Sequence, residues 1–420
     1  MSIKRIAILS VHTSPLAALG EKKTGGMNVY LREVSRQFSQ RGIHVDIYTR
    51  CTSEDLPAVD YSLAENVRVI YLNAGPPQAL DPGEVYAHLQ QFAARVIAFN
   101  TMEGGTIYDL IFSHYWLSGW VAYKLNEVWG TPIVHMFHTL GHMKNRIASK
   151  VPTLFDERVT TETQIVEWAD RIVAATEAEQ SQLLWLYRAD RRKIVIVSPG
   201  VDADRFKPVS QKAAREQLAI DDDCNLLLFV GRIEPLKAID TIIQAIDTIR
   251  ADKPHLLDQL CFSVIGGDPD NPADTEIQRL QALVKDLDLD RVVRFLGAKD
   301  HSLLPLYYSA ASAVIIPSDY ESFGMVALEA MSSGTPVIAT EVGGLAFLVR
   351  DQSTGFLVPS RDPAAIAESI IMLLTQPEKQ KSLGQNAAAL AEQYSWSKIT
   401  DRLLEVFGDV LKSQSNLRMR

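Results

Sequence analysis

Short apolar runs alternate with helix-patterned stretches along almost all of the chain, and this alternation restricts the fold more than any other feature. Residues 6–11, 45–48, 67–72, 110–113, 132–136, 171–174 and 194–197 form a first series of such runs. The rhythm restarts at 225–230 and continues through 261–265, 292–296, 313–317, 337–339 and 355–358. Runs this short, apolar on both faces, suit strands covered on both sides by helices, which means parallel sheets with helical crossovers. A chain of 420 residues is long enough to build two such cores. The divide is expected in the Pro- and Gly-bearing stretch that runs from S-P-G-V-D to F-K-P, before the charged helix 212–218.

Net charge is -9, so no broad basic surface for nucleic acid is implied. The first apolar run, in M-S-I-K-R-I-A-I-L-S-V, is too short for a secretory signal and reads as a strand. No run approaches the length of a membrane span, and a soluble cytoplasmic protein is the expectation. Cys51, Cys224 and Cys261 are widely spaced and are expected to be reduced and structural.

The polar residues gather where strands end. After the run 313–317 comes D-Y-E-S-F-G-M-V-A-L-E-A-M-S-S-G, with Glu321 in the loop, Ser322, Phe323 and Gly324 turning into a helix, and Glu329 inside it. Open parallel sheets bind ligands at this edge, and a helix amino terminus offers free N–H groups to phosphate. After 225–230, G-R-I-E-P-L-K puts Arg232 and Lys237 at a second strand end, a set able to hold a diphosphate. It is not a Walker A loop, and Gly25-Gly26 is not a dinucleotide fingerprint, although it allows close backbone approach. In the first half, His114-Tyr115-Trp116 and F-H-T-L-G-H-M-K-N-R follow strands, and Lys144, Arg146 and Arg158 offer cations for a phosphate. His138 and His142 are four apart, as a zinc pair can be, but H-E-x-x-H is absent and no metal is expected. Any one of these loops also fits a solvated surface. Several at one sheet edge suggest a pocket for a polar small molecule.

The motifs G-R-I-E-P-L-K-A, E-S-F-G-M-V-A-L-E-A-M-S-S-G-T-P-V-I-A-T and E-V-G-G-L, in this order, resemble the retaining glycosyltransferases of family GT4 over nearly the whole chain. Two branches are similar. The inositol-phosphate N-acetylglucosaminyltransferases of mycothiol synthesis share V-H-T-S-P-L, G-G-M-N-V-Y, S-H-Y-W-L-S-G, H-T-L-x-x-x-K-N and V-S-P-G-V-D. The sucrose-phosphate synthases share much of the same scaffold. The resemblance implies an α/β GT-B fold, two Rossmann-like parallel-sheet domains facing a deep interdomain cleft. It implies an acceptor domain at 1–203, completed by a helix at 396–420, and a nucleotide-sugar domain at 204–395.

Carried over by residue, the resemblance makes Arg232 and Lys237 the diphosphate clamp and Glu329 the ribose-binding acid. Glu321 would hold the donor sugar hydroxyls, with Ser322, Phe323 and Gly324 in the same donor loop. His138 would meet the donor sugar near its reacting face, and the Gly26 N–H would meet the diphosphate. Tyr115, Thr139 and Arg158 match acceptor-phosphate residues, and Asn28 and Lys144 fall in the same acceptor wall. His138, Glu321, Arg232 and Lys237 are the residues expected to carry the chemistry. No cofactor or divalent ion is expected, and the partners are a nucleotide-sugar donor and a sugar-phosphate acceptor, with the chain a monomer or homodimer.

One departure bears on the acceptor. The inositol branch has a lysine in the loop after A-G-P, where this chain reads A-G-P-P-Q-A-L-D-P-G-E and has Pro82 beside Asp81. A proline cannot replace a cation, so the expected reaction is glucose transfer from UDP-glucose to fructose 6-phosphate, giving sucrose 6-phosphate. The alternative is glucosyl or N-acetylglucosaminyl transfer to inositol phosphate or another phosphorylated polyol. A nucleotide-sugar sensor or scaffold is the non-enzyme alternative, since a fold does not fix a function.

Overall fold

The computed structural model describes residues 3–17, 25–147 and 156–418. In the first unit, β1 (Arg5–Leu9), β2 (His44–Arg50), β3 (Val59–Ala64), β4 (Val67–Leu72), β5 (Leu110–His114), β6 (Ile133–Met136), β7 (Arg171–Ala174) and β8 (Ile194–Ile196) make one sheet. Its order is β3-β4-β2-β1-β5-β6-β7-β8. All neighbours are parallel except β3 and β4. β3 was not among the expected runs, because V-D-Y-S-L-A, at the sheet edge, is polar and exposed in its middle.

In the second unit, β9 (Asn225–Val230), β10 (Leu260–Ile265), β11 (Val293–Gly297), β12 (Ala313–Ile316), β13 (Val337–Thr340) and β14 (Gly355–Val358) form a fully parallel sheet. Its order is β11-β10-β9-β12-β13-β14. In each sheet the chain moves outward from a central strand and then returns to that strand's other side. The reversal lies between β1 and β5 in one sheet and between β9 and β12 in the other. Loops leaving the two strands at such a point diverge, which opens a crevice at their carboxyl ends.

The helix Trp396–Arg418 belongs to the first unit. Trp396, Ile399, Leu403, Phe407 and Val410 are all buried and recur at helical spacing along it. Phe407 meets Phe112 of β5 at 5.2 Å and Phe38 of the helix Gly26–Gln40 at 5.9 Å. Arg41 pairs with Asp401 at 2.7 Å beside them. Burying a ring such as Phe407 is worth about 2–3 kcal/mol, far more than the exposed ion pair.

The division between units falls at Ser198 and Pro199, ahead of the position expected after residue 203. The reason is local: Val201 bridges to Ser395, and its N–H donates to the Tyr394 carbonyl at 2.8 Å, both within the second unit. A correction concerns the cysteines. Cys224 and Cys261 are joined as a disulfide with Cα atoms 5.9 Å apart, where reduced thiols were expected. The pairing of β9 with β10 sets Leu226 opposite Cys261 and so brings Cys224 alongside, a contact that sequence spacing does not reveal. Cys51 remains a free, buried thiol. Among the described residues no helix is long and apolar enough to cross a membrane.

Candidate active site

In the second unit the loops after β9 and β12 meet across the strand reversal. Lys237 ends the short turn Pro235–Lys237, and its Nζ donates to Glu321 Oε2 at 2.5 Å. Their side chains are only 19% and 22% exposed, so the pair is more than a surface contact. Glu321 is held from behind by the Gly344 N–H, which donates to its carbonyl at 2.9 Å. Gly343 has φ 48, and a Cβ there would collide with the Glu321 carbonyl oxygen, so this approach requires glycine. Arg361, which sequence reasoning did not single out, ties the same loops together. It donates to both oxygens of Asp319, to Asp240 and to the Pro235 carbonyl.

Arg232 sits at the same edge and pairs with Glu234 at 2.5 Å, half in solvent. Gly324, at φ 103, caps the helix Met325–Ser332, whose first N–H groups have no partner within the helix. Ser322 is half-buried and its hydroxyl donates to Tyr320 Oη at 3.4 Å. Phe323 is buried and its ring packs 6.1 Å from that of Tyr394, so only its backbone is placed to meet a ligand. Glu329, on that helix, accepts from Tyr308 Oη at 2.9 Å and lies 3.3 Å from His301 Nε2. Arg205 donates to His301 Nδ1 at 2.9 Å, which leaves the proton on Nε2 and turns His301 into a donor toward Glu329. Neither Tyr308 nor His301 lies in a motif that could have marked it in the sequence.

In the first unit, the strand reversal between β1 and β5 brings His12 and Tyr115 together, with ring centroids 4.4 Å apart. Arg158 lies on the helix Glu157–Trp168, capped by Asp156. Its guanidinium covers the Tyr115 ring at 4.9 Å. It donates to Tyr115 Oη at 3.1 Å, to the Thr139 carbonyl at 2.7 Å and to Thr139 Oγ1 at 3.1 Å. Its Nε donates to Glu162 at 2.7 Å, and Glu162 is fully buried, also accepting from the Gly141 N–H and from Tyr187. Burial works against the charge on Arg158, but the adjoining Glu162 carboxylate outweighs it and holds the pKa above the ordinary arginine value. Because the Tyr115 and Thr139 hydroxyls both accept from Arg158, both protons are left to donate elsewhere. The cluster therefore holds two hydroxyls with protons to donate beside a guanidinium, groups able to receive a phosphate.

Asn28 is 1% exposed and works inward. Its amide donates to Thr13 Oγ1 at 2.7 Å and to the Ser14 carbonyl at 2.6 Å, which shapes the loop after β1. Gly26 opens the helix Gly26–Gln40, and residues 18–24 before it lie outside the described residues. Lys144 is exposed on the helix Gly141–Ile147, and Arg146 on the same helix is exposed too. His138 is not on that helix. It lies in the loop after β6 at φ 63, where a non-glycine residue costs about 1–2 kcal/mol. Its Nε2 is 2.9 Å from His114 Nδ1. His142 points to Tyr187 instead, so the two histidines do not form a pair. Among the described residues no cluster of three or more His, Cys, Asp or Glu is placed to hold a metal.

Residues 24–205 match Glycosyltransferase Family 4, and residues 210–390 match Glycosyl transferases group 1. D-inositol 3-phosphate glycosyltransferase 2 of Catenulispora acidiphila is 41% identical, covering 99% of this chain and 97% of that protein. The D-inositol 3-phosphate glycosyltransferase of Geodermatophilus obscurus is 42% identical, covering 96% and 89%. The structure of sucrose-phosphate synthase from Thermosynechococcus elongatus superposes with a TM-score of 0.89 at 33% identity, covering 98% and 100%. Two Rossmann-like parallel-sheet units and these relatives define a glycosyltransferase of the GT-B type. Within that class the chain belongs to glycosyltransferase family 4.

Proposed function

We propose that this enzyme moves glucose from a nucleotide sugar, UDP-glucose by preference, to fructose 6-phosphate, with the anomeric bond remaining α. The observation that carries the acceptor choice is the surroundings of Pro82. It is the first residue of the helix Pro82–Tyr86, whose cap is Asp81, and Glu84 accepts from the Asp81 N–H at 2.7 Å. Two carboxylates thus flank the position where the inositol branch carries a lysine. An inositol phosphate held in that branch's manner would lose a cation and meet negative charge. The similarity to sucrose-phosphate synthase supports the same choice.

In this reading Tyr115, Thr139 and Arg158 bind the acceptor phosphate. Lys237 and Arg232, with the free N–H groups of the helix Met325–Ser332, stabilise the departing diphosphate. Such preorganised donors can supply the largest single share of catalysis. A lysine has three N–H donors, so Lys237 can keep Glu321 and still reach a phosphate oxygen. Glu321 orients the sugar hydroxyls and is not a nucleophile. The acceptor hydroxyl attacks from the face the diphosphate leaves, and the leaving oxygen takes its proton. Charge on the leaving group is met by side chains and N–H groups, so the reaction requires no divalent ion.

A second reading, transfer to inositol phosphate, is favoured by the names of the relatives at 39–42% identity and by the G-G-M-N-V-Y run. The deciding experiment is a matrix of UDP-, ADP- and GDP-sugars against fructose 6-phosphate, inositol phosphate and their unphosphorylated forms. Faster transfer to inositol phosphate reverses the acceptor choice. Nucleotide-sugar binding without product from any pair leaves only a sensor or scaffold.

A further inference from the structure

We propose that His114 is a positioning residue that fixes the tautomer of His138, so that His138 presents Nδ1–H as a donor at the site. This rests on the reading of His138 as a residue that meets the donor sugar. The two rings come from the ends of neighbouring strands, since β5 and β6 pair in register with His114 opposite Met136. The Tyr115 N–H closes that edge by donating to the Met136 carbonyl at 2.9 Å.

The chemistry follows from which nitrogens have partners. His114 Nδ1 and His138 Nε2 are 2.9 Å apart, so one donates and the other accepts. His114 has no exposure, and its Nε2 is buried without a hydrogen-bond partner. If His114 Nδ1 accepted, the ring proton would sit on that orphaned Nε2. Among buried backbone groups an orphaned N–H is rarer than an under-satisfied acceptor, and the same preference is applied to the ring. The proton therefore belongs on His114 Nδ1 and is donated to His138 Nε2. His138 then carries its own proton on Nδ1. Of the two residues only His138 is partly exposed, so it is the one placed to meet a ligand.

Surrounding groups hold this arrangement neutral and rigid. Phe112 packs 4.1 Å from His114, and Tyr30 lies 5.7 Å from His114 and 5.4 Å from His138. Burial and the neighbouring imidazoles keep His114 well below the ordinary histidine range. The φ of 63 at His138 fixes the direction from which its ring enters.

Two measurements test this. In the unliganded protein labelled with 15N-histidine, ring nitrogen shifts and two-bond couplings report each tautomer, with His138→Asn identifying the signal. The expected pattern is Nδ1–H for both rings, and Nε2–H on His138 overturns the proposal. Kinetically, His114→Asn keeps an N–H donor near the Nδ1 position, while His114→Phe keeps the bulk and loses the donor. His114→Phe is expected to lower kcat by ~10-fold or more, the loss expected for one misdirected hydrogen bond, with His114→Asn recovering most of it. Equal losses in both variants reject the positioning role. The tautomer is read without turnover, so a failure of the glycosyl-transfer reading is distinguishable from a failure of this one.

Discussion

The Lys237 ammonium donates to the Glu321 carboxylate at 2.5 Å across the strand reversal of the second sheet. This pair joins the loop after β9 to the loop after β12, and Arg361 braces both from the side through Pro235 and Asp319. In the proposed reaction the two would act on different parts of one donor, and the contact holds them in register. Lys237→Ala is expected to lower kcat by ~10-fold or more at saturating donor, the effect of one lost charge-assisted contact. Near-normal turnover under those conditions removes Lys237 from the diphosphate.

The assignment of Tyr115, Thr139 and Arg158 to the acceptor phosphate predicts a selective defect. Tyr115→Phe removes one O–H while leaving the ring under Arg158, so the fold should be kept. KM for a phosphorylated acceptor should rise by ~10-fold, as for one hydrogen bond to a charged group, with little change for the dephosphorylated form. An equal rise for both would take the hydroxyl out of phosphate binding. Arg158→Ala is the poorer probe, because it strands the buried Glu162 carboxylate and should destabilise the fold by about 3–5 kcal/mol.

Position 82 tests the acceptor directly. Pro82→Lys places a cation at the first position of a short helix between Asp81 and Glu84. The ratio of kcat/KM for inositol phosphate over fructose 6-phosphate should rise by ~10-fold, the discrimination expected of one new charge-assisted contact. An unchanged ratio in competition assays means that this loop does not choose the acceptor.

Stability should fall in acid through the buried imidazoles. Burial holds His135 and His138 down to about 3, from an ordinary 6.5, and His114 well below its usual range. Below pH 6.5 the unfolded chain binds protons that the folded chain refuses, so stability drops as pH falls from 6.5 toward 3. Glu179 acts in the opposite sense. Burial lifts its carboxyl from 4.5 to about 7, so its contribution is lost as pH rises through that window. Three imidazoles outweigh one carboxyl where the windows overlap. The melting temperature should be lower near pH ~5.5 than near pH ~7, with net proton uptake on unfolding. A higher melting temperature at the lower pH would contradict the assignment.

Much of the fold could be read from local pattern, because strands covered on both faces announce themselves as apolar runs. β3 could not, since an edge strand needs few apolar residues, and neither could the Cys224–Cys261 contact, which depends on the register of β9 and β10. The candidate site residues were named in the sequence from polar loops at strand ends and from the family resemblance, which needs only residue order. Arg361, His301 and Tyr308 were not. Each acts on another side chain far away in sequence, and an isolated Arg, His or Tyr has no spacing that declares such a partner.

By itself the sequence determined that the chain builds two parallel-sheet units, which loops carry charge, and which family it belongs to. All three depend on residue order and on periodicities that hold within a few turns of chain. Only the tertiary structure decided that Lys237 holds Glu321, that Arg158 is shared between Tyr115 and Thr139, and that His114 faces His138. Those contacts join residues from different loops and elements, and hydrogen bonds of 2.5 to 3.1 Å between them are set by how sheets and helices pack rather than by distance along the chain.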